Sequence, residues 1–115
     1  MSDTFWTVIA EQLHELESAR TADDVIRILA HDRNPYGPDR GNPGDAFFAG
    51  SGGDETVGEA LRIAGWTTIW AEASYHYVKQ APDGSTITYI EGDIYRGDRS
   101  PKRPKTAACA VPTTG

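Results

Sequence analysis

His76 sits in the same stretch of chain as Glu72, Glu91 and Asp93 and four tyrosines, Tyr75, Tyr77, Tyr89 and Tyr95. An imidazole held against a carboxylate can move a proton near neutral pH, and a group of carboxylates and imidazoles around one point can hold a metal ion. Both chemistries demand that the groups meet within hydrogen-bond or ligand distance. The elements that carry them decide whether they do.

Residues Trp66 to Arg96 hold two of the three Trp and four of the five Tyr, and β-branched residues flank a Pro82-Asp83-Gly84 tripeptide. This pattern predicts a β-hairpin. Period-two geometry puts Trp70, Glu72, Ser74, His76 and Val78 on one face of its first strand, with Ile69, Ala71, Ala73, Tyr75 and Tyr77 on the other. In the second strand Ile87, Tyr89, Glu91, Asp93 and Tyr95 share a face.

Two registers are open. A three-residue loop ending in a left-handed Gly84 pairs Ala81 with Ser85 and sends Glu91 and Asp93 to the Tyr75/Tyr77 face, away from His76. A two-residue Asp83-Gly84 turn pairs Pro82 with Ser85 and brings His76 opposite Glu91. The proline favours the first. Glu72 and His76 stand four strand residues apart, about 13 Å, so they are not expected to share one ion. No catalytic, cofactor-binding or metal-binding residue is therefore assigned. Trp70, Glu72, Tyr75, His76, Tyr77, Tyr89, Glu91 and Asp93 are retained as a candidate interaction surface.

The run Gly50-Ser51-Gly52-Gly53-Asp54-Glu55-Thr56 has the look of an anion cradle at a helix start. It lacks a phosphate-binding lysine and dinucleotide spacing, and Asp54 and Glu55 would repel a phosphate there. Helix entry and capping account for it. His14 and His31 fall on predicted helices without a second ligand four residues on. Cys109, the only cysteine, has nothing nearby to activate it.

The remaining elements follow from apolar periodicity. Residues 3 to 19 predict an amphipathic helix with Phe5, Val8, Ile9, Leu13 and Leu16 on one stripe. Thr21 caps a second helix whose C-terminal end carries Arg27, His31 and Arg33, stopped by Asn34-Pro35; the short link predicts an antiparallel pair. Residues 35 to 53 form a long loop with nine Gly or Pro in nineteen positions, in which Phe47-Phe48 is expected to plug the core or form a short strand. A third helix runs from about Asp54 to Ala64, closed by Gly65. Gly58 in its interior suggests close approach of another backbone. The fold class is α+β, a helical pair and a third helix on a small antiparallel sheet. Residues 1–97 form one domain, and 98–115 are a flexible basic tail.

Charge and size bound the function. Residues 1–95 carry 16 acidic and 6 basic side chains, net −10, whereas residues 96–115 carry five basic and one acidic, net +4. An acidic body repels nucleic acid and membrane surfaces and attracts basic partners. No signal peptide or membrane-length apolar run is visible, and one cysteine excludes an intrachain disulfide, so a cytoplasmic location is expected. The small core leaves room for a protein partner or a homo-oligomer to add burial.

The run Phe47 to Val57, the Ala64-Gly65-Trp66 junction and the segments Trp70–Tyr75, Ala81–Ser85 and Glu91–Tyr95 resemble small uncharacterised accessory proteins of actinobacterial bacteriophages. Thr21–Val25 and Asn34–Pro38 fit as well. The resemblance implies a bacterial cytosol and a product that binds a host or viral protein, with no activity or site residues to carry over. The reading is a non-enzymatic, protein-binding accessory protein without a cofactor. A binder of a small ligand or nucleotide signal, using the Gly-rich loop and the hairpin face, is the alternative.

Overall fold

The computed structural model describes residues 2–35, 44–50 and 52–101, with side chains from Phe5 onward. The expectations for residues 36–43, for Ser51 and for the tail beyond Pro101, including Cys109, lie outside the described residues.

Three helices pack on one face of a five-stranded antiparallel sheet, an α+β architecture. The helices are α1 (Ser2–Leu16), α2 (Ala22–Ile28) and α3 (Gly53–Ile63). The strands are β1 (Ala46–Phe47), β2 (Thr67–Ala73), β3 (His76–Gln80), β4 (Thr86–Ile90) and β5 (Asp93–Arg96), in the order β1-β5-β4-β3-β2.

Helix α1 stops at Leu16 rather than at residue 19. Helix α2 starts as its residues dictate, with the Thr21 hydroxyl accepting from the Asp24 N–H at 3.0 Å. It ends at Ile28, and His31–Arg33 form a separate 3-10 turn instead of its last turn. The break is offset by tertiary bonds. Arg33 reaches across to α1 and holds both oxygens of Glu15 at 3.0 and 2.8 Å, and it also donates to the Ile28 carbonyl at 3.0 Å. Trp66, directly after α3, donates its indole N–H to the Ala19 carbonyl at 2.9 Å, locking the α1–α2 link to the start of β2.

The core between helices and sheet gathers Leu16, Val25, Leu29, Val57, Leu61, Trp66, Ile87, Tyr89 and Ile94, all buried. Phe48 is buried with them, while Ala46–Phe47 pair with β5 as a two-residue edge strand, so the Phe-Phe pair serves as both plug and strand. The glycines beside it are explained by that plug. A Cβ on Gly50 would stand 2.3 Å from the Phe48 ring, and one on Gly53 2.7 Å. Gly58 has no such reason: its nearest neighbour would be the Tyr77 hydroxyl, a side-chain atom at an ordinary 3.6 Å, not a close backbone.

The predicted hairpin is a four-strand meander. Each of its two expected long strands is folded in half, at Ser74-Tyr75 and at Glu91-Gly92. The central register is the three-residue one, with Gln80 opposite Thr86, Tyr77 opposite Tyr89, and the Ala81 N–H on the Ser85 carbonyl at 2.7 Å. The two-residue register that set His76 opposite Glu91 is not adopted; His76 faces Ile90.

Residues paired across antiparallel strands share a face. Thr88 pairs with Tyr95 and Ile90 with Asp93, so Asp93 and Tyr95 stand on the face opposite Tyr89, not beside it as continuous alternation predicted. That second face also has buried residues, Val78 and Thr88. The chain after β5 turns back over it: Thr88 Oγ donates to the Gly97 carbonyl at 2.8 Å and accepts the Arg99 N–H at 2.7 Å. The Arg99 guanidinium lies 4.6 Å from the Tyr95 ring centre.

Candidate functional site

The folding of each long strand in half divides the eight candidate residues between two surfaces. On the face away from the helices, Glu72 and His76 meet after all. The reversal at Ser74-Tyr75 sets Ala73 opposite His76, and Glu72 Oε1 comes to 3.2 Å from His76 Nδ1. The 13 Å separation held only for a continuous strand. The His76 ring packs edge-on against Trp70, centroids 4.8 Å apart.

The loop has two residues, yet neither Ser74 nor Tyr75 adopts positive φ, which a tight two-residue hairpin ordinarily requires. A register shift between Ala71 and Ala73 absorbs the mismatch. His76 is four-fifths buried, and its Nε2 is buried without a hydrogen-bond partner among the described residues. When Nδ1 donates to Glu72, Nε2 carries the lone pair, and no substrate can approach it in this arrangement. The pair holds the Glu72 carboxylate against the His76 ring, on which Trp70 also packs.

Beside this cluster, Ile69, Trp70, Ala71 and Glu72 face Asp98, Ser100 and Pro101 across a trough of about 590 Å³. Strand β2 is one of the sheet's two outer strands, and Ile69 on it is 45% exposed. Its second register shift, between Thr68 and Trp70, twists that edge, which limits indiscriminate strand pairing.

Asp93 lies on the same face, opposite Phe47 and Ile90. Burial raises its pKa above the usual carboxylate value, nearby His31 offsets part of this, and Glu91 adds to it. Its Oδ1 is buried with no hydrogen-bond partner among the described residues. Asp93 is therefore not brought into the Glu72–His76 pair.

Tyr75, Tyr77, Tyr89 and Glu91 go to the other surface, at the end of the sheet next to the start of α3. Tyr77 and Tyr89 stack face to face at 4.8 Å, with rings 4° from parallel. Both hydroxyls donate to Asp54, Tyr89 to the carboxylate at 2.8 Å and Tyr77 to the backbone carbonyl at 3.4 Å. Burial, followed by Asp54, pushes the Tyr77 phenol strongly up, and burial with the Asp54 hydrogen bond does the same for Tyr89. Both phenols thus stand as donors to Asp54, tying β3 and β4 to the start of α3.

Tyr75 is 45% exposed, and its carbonyl accepts the Glu91 N–H at 2.8 Å. The two near turns are thereby joined side by side. With Phe47, Asp54 and the glycines at 50, 52 and 53 they line an open groove of about 470 Å³. The Gly-rich loop and the hairpin, named together in the alternative reading of the sequence, are two walls of this one groove.

Phe47 and Ile69 were missed as surface residues. The sequence points Phe47 to a core plug or a short strand, and the exposure of Ile69 depends on β2 lying at the edge. Among the described residues no group of three or more His, Cys, Asp or Glu side chains is placed to hold a metal ion, and no helix is long and apolar enough to cross a membrane. Comparison with protein-family models, with curated proteins and with solved structures gives no significant match.

Proposed function

We propose that this chain is a non-catalytic accessory protein of bacteriophage type that acts in the bacterial cytosol by covering a basic surface of a host or viral protein. One observation carries the reading: each of five grooves on the described surface is lined by carboxylates. Asp54 and Glu91 line the end groove, and Glu72 and Asp98 the trough along β2. Glu17, Glu55 and Glu59 line a third, Glu11 and Glu15 a fourth, and Glu15 and Asp24 a fifth, which Arg27 also lines. Of these, Asp24, Glu15 and Glu59 are paired with Arg27, Arg33 and Arg62.

A surface with acidic concavities and exposed aromatic rims recognises cationic protein surfaces and speeds their approach. It would compete with whatever anion that surface otherwise holds. The buried Nε2 of His76 and the firmly protonated Tyr77 and Tyr89 support a binding role over acid–base chemistry.

The test is capture from a bacterial host lysate, using a photo-crosslinking residue at Ile69 in one sample and at Tyr75 in another. Recovery of a specific basic protein at low salt, weakened at high salt, is the expected result. Recovery of no specific protein at either site sinks the proposal.

The end groove also supports a second reading, a small-ligand site, because the Gly-rich loop and the hairpin do line one cavity. Its carboxylates disfavour a nucleotide phosphate there. An unchanged melting temperature across a panel of nucleotides and small cationic metabolites would dismiss this reading, since a ligand of the native state must raise it.

A further inference from the structure

The end groove has a more specific chemistry than the general acidity of the surface. Exposed Tyr75 and half-buried Phe47 line it with Asp54 and Glu91, above buried Tyr89, whose hydroxyl donates to the Asp54 carboxylate; none of the described residues lining it is cationic. Aromatic faces and carboxylates around one open cavity form the combination that holds a guanidinium or an ammonium on an aliphatic stem. A phosphate would meet two negative charges.

The position of Glu91 adds a second argument. Glu91 and Gly92 form the two-residue β4–β5 turn with φ of 48° and 97°, the left-handed pair of a primed turn. Asn, Asp or Gly is the ordinary occupant of the first place, and a long side chain there costs stability. The chain keeps Glu at that point, where its carboxylate borders the groove and its N–H is tied to Tyr75.

We infer that the end groove is the receptor for an arginine or lysine side chain presented by an extended basic segment of the partner protein. Glu91 and Asp54 supply the charge, and Tyr75 and Phe47 the walls. The inference rests on the protein-binding reading above and names the point of contact.

The experiment is a titration of the isotopically labelled full chain, followed by backbone amide NMR, with three probes: a hexapeptide alternating Arg and Gly, the same peptide with Glu for Arg, and N-acetyl-arginine amide. The Arg peptide is expected to shift the amides of Gly53, Tyr75, Glu91 and Gly92 in a saturable manner. The Glu peptide should do nothing, and the single capped arginine should bind more weakly than the peptide. Glu91→Gln, which leaves the turn backbone as it is, should weaken the peptide by about tenfold, the worth of one charge-assisted bond. Tyr75→Ala should weaken it as well. Glu72→Gln, in the trough on the other face, should not.

Equal shifts around all the grooves, or equal loss with Glu72→Gln and Glu91→Gln, would mean diffuse attraction and overturn the inference. So would the absence of saturable binding, or capped arginine binding as tightly as the peptide, which would indicate a small-molecule site. In each of these cases lysate capture at Ile69 still decides the protein-binding reading by itself.

Discussion

The two ends of the sheet are built by opposite rules. At the far end, Pro82-Asp83-Gly84 uses each residue for the turn. The proline pre-sets the backbone, Gly84 takes φ of 93°, and Asp83 Oδ1 accepts from both the N–H and the hydroxyl of Ser85 at 3.0 and 2.6 Å. The Ser85 hydroxyl in turn accepts the Ala22 N–H at 2.9 Å, so the turn also satisfies a free donor at the start of α2. At the near end the turns hold Tyr75, exposed, and Glu91, in a conformation that disfavours it. One end is chosen throughout for folding. The other places an exposed aromatic ring and, at a left-handed position, a carboxylate, the kind of local departure from folding rules that marks a place to look for function.

Substitutions can break or sharpen that contrast. The largest effect is expected at the floor of the near end. Phe48→Ala removes the ring packed on Gly50 and Gly53 and should cost about 3–5 kcal/mol in urea unfolding followed by Trp fluorescence. A cost below ~1 kcal/mol would mean that the plug does not hold the groove in shape.

The two turns should then respond with opposite signs. Gly84→Ala forces a Cβ into φ of 93° and should destabilise by about 1–2 kcal/mol, with open space around it leaving backbone strain as the cause. Glu91→Asn gives the near turn its favoured residue and should raise stability by roughly 0.5–1 kcal/mol, read as a higher melting temperature, while weakening Arg-peptide binding. If both substitutions destabilise, Glu91 is there for folding and the contrast fails.

The smallest effects concern two aspartates and are read as stability against pH. Asp83 has a lowered pKa, chiefly from the Ser85 side-chain and backbone hydrogen bonds. A carboxylate depressed by folding stabilises above its unfolded value, and that contribution disappears as pH falls through the folded value. Asp83→Asn should therefore lose stability at pH 7 and match the parent in strong acid. Asp93 is the reverse case, raised by burial. Its ionised form is disfavoured in the fold, so a cost sets in as pH rises from the ordinary Asp range, near the reference value of 3.8, through the raised value. Asp93→Asn should gain stability at pH 7 and gain nothing below that range. Urea midpoints from pH 3 to 7 check both, and a common sign at pH 7 would refute the assignment.

Much of the fold was legible because its signals are local. Thr21 as a cap, Gly65 after α3, and the three-residue turn that sets Tyr77 opposite Tyr89 depend only on neighbours in sequence. The candidate site was legible in composition and not in geometry. Alternation of period two runs unbroken through Ser74-Tyr75, which carries no Gly, Pro or Asn to announce a reversal, and Glu91-Gly92 is only half of such a signal. Local patterning cannot register a fold-back whose gain lies in distant pairs.

The sequence by itself therefore determined the α+β class and the Thr21 cap of α2, and favoured the central register that the sheet adopts, since each follows from backbone preferences and apolar spacing. Only the tertiary structure decided that Glu72 touches His76, that Asp93 leaves the tyrosine face, and that the Gly-rich loop joins Tyr75 and Glu91 around one groove. Those outcomes turn on where two strands fold back, and cross-strand pairing and burial over the whole sheet set that point.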